Sequence, residues 1–110
     1  MESKLLYIMS ERLITKIKWP EDENLGWTYY GAEDKVKLDI VMETLNRHFS
    51  DDSLYVCWTR QNCFEVSKEN ILSEVNNILG YEDFRIWNKS FTRAIQFNKI
   101  GVLKCGEVCG

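Results

Sequence analysis

The chain has 110 residues, 45% of them hydrophobic and 13% aromatic, with a single proline and a formal net charge of −3. That length reads as one domain spanning residues 1–110, and so much apolar and aromatic material supplies a core and excludes an intrinsically disordered chain. The charge is uneven: residues 1–20 carry four basic and two acidic side chains, residues 21–52 nine acidic and three basic, and residues 53–110 return to +1.

A basic stripe that could displace counterions from a phosphate backbone is missing, and the middle of the chain opposes one, which argues against nucleic-acid binding. Ser10, Glu11, Arg12, Lys16 and Lys18 interrupt the apolar residues of the first twenty positions. No signal-peptide core results. No stretch approaches the ~20 apolar residues of a membrane span. A soluble, cytoplasmic protein without a membrane partner is the expectation.

Leu5, Leu6, Met9, Leu13 and Ile17 recur at helical spacing and predict a first helix, with Ser3 as its N-cap and Pro20 beyond its end. Residues 21–31 read as a loop that carries Glu21, Asp22 and Glu23, then Trp27, Tyr29 and Tyr30. A second helix is predicted from Glu33, with Glu33 and Asp34 in its first turn and Arg47 and His48 in its last, where the dipole favours each charge. Leu38, Val41, Met42, Leu45 and Phe49 form its apolar face, and Asp51 and Asp52 follow it.

Leu54–Trp58 and Cys63–Val66 read as a strand pair around a Thr59–Asn62 connection; a five-residue turn would set Cys57 opposite Cys63. Ser67 is placed to cap a third helix that ends at Gly80, with Ile71, Leu72, Val75, Ile78 and Leu79 as its face. The closing stretch predicts a three-stranded meander of Phe84–Trp87, Phe91–Phe97 and Ile100–Leu103, with Phe91, Arg93, Ile95 and Phe97 sharing one face. The predicted fold class is therefore α+β in the order α-α-β-β-α-β-β-β: one mostly antiparallel five-stranded sheet with helices covering one face.

Catalytic and cofactor motifs are scarce. The glycines are isolated and make no phosphate-binding loop, and zinc-protease, EF-hand and nucleophile-elbow motifs are absent, so a non-enzymatic protein without a cofactor is expected. Cys57, Cys63, Cys105 and Cys109 lack the C-x2-C spacing of common zinc ribbons and of thioredoxin-like redox pairs. Incidental reduced thiols are the first reading for a cytosolic chain, with a metal site or a disulfide as alternatives. His48, the one histidine, reads as a residue at a helix C-terminus. A small enzyme pairing His48 with a thiol such as Cys57 is the rival class. Self-association through Phe91–Phe97 as a sheet edge is a third possibility.

In FRIWNKSFTRAIQFNKIGVLKCG the strand pattern and the FNKIGV turn resemble the terminal strands of small bacterial immunity proteins of contact-dependent inhibition and polymorphic-toxin systems. That resemblance implies a stoichiometric inhibitor that binds a cognate toxin domain, often a basic nuclease. It transfers no functional residue. From the residues themselves, the candidate partner surface is acidic and aromatic: Glu21, Asp22, Glu23, Glu33, Asp34, Asp51 and Asp52 to attract a basic partner, and Trp27, Tyr29 and Tyr30 to anchor it.

Overall fold

The computed structural model describes residues 2–20 and 26–108. Among them the order is helix α1 (Ser3–Ile14), strands β1 (Ile17–Lys18) and β2 (Thr28–Tyr29), a 3-10 turn (Glu33–Lys35), helix α2 (Leu38–His48), strands β3 (Ser53–Thr59) and β4 (Asn62–Ser67), helix α3 (Ile71–Val75), and strands β5 (Phe84–Trp87), β6 (Arg93–Asn98) and β7 (Val102–Val108). All pairings are antiparallel. The class is α+β. The sheet, however, has seven strands in the order β1-β7-β6-β5-β3-β4, with β2 also on β7.

The two additional strands are two-residue pairs along the outer edge of β7, Ile17–Lys18 against Glu107–Val108 and Thr28–Tyr29 against Val102–Leu103. Two residues cannot display a period, so neither pair was visible as a pattern. Ile17 therefore leaves the predicted helical stripe and joins the sheet; α1 stops at Ile14.

The helices cover both faces, not one. Alternation of side chains along each strand puts Leu54, Val56, Phe84, Ile86, Ile95, Phe97 and Leu103 on one face, where Val41 and Leu45 of α2, Phe49 just after it, and Ile71, Val75, Ile78 and Leu79 pack. Tyr55, Cys57, Cys63, Trp87 and Ala94 point to the other face, beneath Leu6 of α1. The first layer is apolar apart from the Tyr30 hydroxyl. The second is mixed: the indole of Trp87 donates to Ser10 Oγ at 2.9 Å, and Arg85 bridges Glu11 and Gln96.

Several boundaries move for identifiable reasons. Residues 33–35 form a tight 3-10 turn, and Val36 and Lys37 are extended, so α2 begins at Leu38. Ser3 is inside α1 rather than capping it; its hydroxyl donates to Arg60 O and accepts the Cys63 N–H, tying the helix to the β3–β4 hairpin. Asn70, not Ser67, precedes α3, which is one short turn. The Ser67 hydroxyl is buried without a hydrogen-bond partner among the described residues. Phe91 lies outside β6 with a positive φ of 56°. That turn swings its ring onto the α1 face, against Tyr55 and Trp87 at 5.2 and 5.3 Å, away from Ile95 and Phe97. Strand β6 pairs on both sides, so it offers no edge for self-association.

Candidate functional site

Three loops meet at one end of the sheet: residues 29–38, the turn after α3 around Gly80, and the β6–β7 turn around Gly101. Backbone holds backbone there. The N–H groups of Tyr30 and Gly31 donate to Gly101 O, Glu33 N–H to Gly80 O, and Lys37 N–H to Tyr30 O. The chains approach so closely that a Cβ on Gly31 would stand 2.2 Å from Lys35 O, and one on Gly101 would stand 2.7 Å from the Gly31 carbonyl carbon. Both glycines also have positive φ, 99° and 92°, which side chains resist.

Tyr30 is the pin beneath this junction. It is fully buried, its ring meets Phe97 edge-on at 5.6 Å, and its hydroxyl donates to Asn98 O at 3.2 Å. Burial, followed by the nearby Asp83 charge, pushes its phenol pKa up against the opposing Gly80 backbone hydrogen bond. Tyr30 therefore cannot be a surface anchor, contrary to the expectation above. Its neighbour Tyr29 points the other way and is 55% exposed.

Glu33 sits on top of the junction with a φ of 56°, a left-handed conformation uncommon outside glycine. Such a residue persists where its surroundings over-determine it; here the bond from its N–H to Gly80 O does so. Glu33 and Asp34 are exposed, and among the described residues neither carboxylate has an ion-pair or hydrogen-bond partner. They border a groove of about 330 Å³ lined also by Val36, Leu38, Asn76, Leu79 and Tyr81. Leu38 is 44% and Tyr81 51% exposed, large apolar surface that the fold does not cover. Lys35 and Lys37 are exposed nearby but do not line the groove.

The remaining predicted site residues are elsewhere. Trp27 is half-buried and, with Trp19, sandwiches the Lys104 ammonium, which lies 4.5 and 4.3 Å from the two rings. That is an internal clasp holding the segment to β7, not a free anchor, and burial pushes the Lys104 pKa down. Asp51 and Asp52 precede β3, at the opposite end of the sheet from Glu33. Asp51 Oδ2 accepts the Lys89 N–H, and Asp52 O accepts the Lys68 N–H. Glu21, Asp22 and Glu23 lie outside the described residues. The acidic segment is thus no single surface, and Leu38 and Tyr81 enter the site in place of Tyr30 and Trp27. The spacing puts Leu38 on the apolar face of α2, but the helix begins at Leu38 itself, five residues later than its pattern predicts, and the side chain stays exposed.

The residues of the rival enzymatic reading are only partly brought together. Cys57 is under α1 on one face of the sheet, whereas His48 ends α2 on the other. The His48 Nε2 lies 3.1 Å from Gly106 O, and because a carbonyl only accepts, Nε2 carries the proton. Cys105 shares a shallow cleft with His48, Trp19 and Pro20. Burial pushes its thiol pKa up, away from the thiolate a nucleophile needs. Cys109 is outside the described residues, among which no group of three or more His, Cys, Asp or Glu side chains could hold a metal ion. No helix among those residues is long and apolar enough to cross a membrane.

Comparison of the chain with family models, with curated proteins and with solved structures finds no match.

Proposed function

We propose that the chain is a cytoplasmic, non-enzymatic immunity protein that binds and neutralises a basic, nuclease-type toxin domain through the three-loop end. One observation carries the reading. Glu33 and Asp34, without partners among the described residues, stand beside the exposed Leu38 and Tyr81 on a junction fixed by backbone bonds. Aromatic and aliphatic groups in a preformed groove give a hot-spot centre, and flanking carboxylates steer a cationic partner. A rigid rim also loses little conformational entropy when it docks.

The test is a titration of the chain with basic, nuclease-type toxin domains, followed by kinetics at low and high salt. Association should slow steeply as salt rises, because charge steering is screened within about 10 Å at ~0.1 M ionic strength. Combined Glu33→Gln and Asp34→Asn replacement should remove most of that salt dependence. Equal association rates at both salt concentrations, or a double variant that binds as the parent does, would overturn the assignment of this surface.

A further inference from the structure

Cys57 on β3 and Cys63 on β4 are cross-strand partners, Cα opposite Cα, and the ladder shifts register just beyond them, between Cys57 and Thr59. That shift makes Trp58 the extra residue of a bulge and leaves Arg60–Gln61 as the turn. The Cys63 N–H donates to Ser3 Oγ at 2.9 Å rather than across the ladder, so the pair occupies a non-hydrogen-bonded site. In such sites the Cα atoms approach to about 4.5 Å, within the ~4.4–6.8 Å that disulfide-linked residues span. Both side chains point to the α1 face, each 5% exposed. The neighbouring Cys57 thiol pulls the Cys63 pKa down, while the Cys63 sulfur, followed by burial, pushes the Cys57 pKa up. Cys57 also lines a cleft of about 150 Å³ with Tyr7, Ser10, Glu11 and Arg85, which brings a small solute to one member of the pair.

We propose that Cys57 and Cys63 form a dithiol redox site that is oxidised by hydrogen peroxide to an intramolecular disulfide. The Cys63 thiolate attacks one peroxide oxygen, the O–O bond breaks, and hydroxide leaves, so that Cys63 becomes a sulfenic acid. That hydroxide takes the Cys57 proton and becomes water. The Cys57 sulfur then attacks the Cys63 sulfur; the S–O bond breaks and the second hydroxide leaves to be protonated by solvent. Two thiols and one peroxide give one disulfide and two waters, a two-electron oxidation of the pair. Closure removes the S–H donors that now reach Leu6 O and Thr59 O, so the redox state is read by α1 and by the hairpin turn.

The test uses the full-length chain with Cys105→Ser and Cys109→Ser, treated with one equivalent of hydrogen peroxide under native conditions. Both remaining thiols should disappear together, the mass should fall by two hydrogens, and a reductant should restore both. Arg60 lies between the cysteines, so a tryptic digest without reductant should yield two peptides joined through Cys57 and Cys63. Cys57→Ser should stop the reaction at a Cys63 sulfenic acid that a 1,3-dione traps. Oxygen adducts without a cross-link, cross-linked dimers, or thiols that react only after unfolding would each overturn the proposal. If the double-serine chain does not fold, peptide mapping of the oxidised parent chain decides between the same outcomes.

Discussion

At the end of the sheet that carries Asn88, side chains build the turn. Asn88 Oδ1 accepts the N–H groups of Thr92 and Arg93, its Nδ2 donates to the Ser90 and Thr92 hydroxyls, and Asp51 accepts the Lys89 N–H. At the end that carries Glu33, backbone and glycine do most of that work, with Asp83 and Asn98 accepting the Lys99 and Ile100 N–H groups and Tyr30 as a buried pin. The difference decides what each end has left over. Side chains that satisfy a turn are occupied, whereas a junction closed by backbone bonds leaves Glu33, Asp34, Leu38 and Tyr81 available to a second molecule. Acidic residues occur at both ends, but only one end combines carboxylates lacking partners among the described residues with uncovered apolar surface.

The largest test of this contrast is Gly31→Ala. A Cβ there would meet Lys35 O at 2.2 Å on a backbone with φ of 99°, so a loss of roughly 3–5 kcal/mol in urea unfolding is expected. A loss below ~1 kcal/mol would show that the junction relaxes easily and is not a rigid platform. Asn88→Ala should cost less, about 2 kcal/mol, because the orphaned N–H groups lie partly within reach of water. It should leave partner affinity unchanged. Glu33→Gln with Asp34→Asn should behave in the opposite way, with stability within ~0.5 kcal/mol of the parent and association weakened about tenfold, near ~1.4 kcal/mol. Asp51→Asn tests the other end, where lower stability and intact binding are expected.

The smallest effect concerns pH. Burial, followed by the Arg93 charge and outweighing the Gly106 carbonyl, holds the His48 pKa below the ordinary value of 6.5. The unfolded chain therefore binds the proton more readily, and the contribution of His48 is intact above pH 6.5 and lost as pH falls from there through the folded value. Thermal unfolding between about pH 7 and 5.5, above the ordinary carboxylate range, should show a mild decline that His48→Gln flattens. An equal decline in the variant would assign it to other groups.

The α+β class, the first two helices and most strands could be read from the sequence because their apolar residues repeat over two or more periods. What could not be read depends on contacts that have no period. Ile17–Lys18 and Thr28–Tyr29 become strands only because β7 is beside them. Phe91 changes faces through one left-handed residue, and Trp58 shifts a register through one bulge. The candidate site was half legible. Charge points to Glu33 and Asp34, which are exposed; aromatic character points equally to Tyr30, which is buried. Adjacent strand residues face opposite sides, so Tyr29 and Tyr30 could not both have been anchors, but that rule applies only once Thr28–Tyr29 is known to be a strand. Tyr81 and Leu38 carried no signal beyond apolar character. Their exposure is set by the junction of loops distant in sequence.

The most direct measurement is amide hydrogen exchange of the chain with and without a basic, nuclease-type toxin domain. Binding at the three-loop end predicts new protection concentrated in residues 31–38 and 76–83, with residues 50–53 and 88–92 unchanged. Protection confined to residues 50–53 and 88–92, or no change anywhere in the chain, would contradict the account.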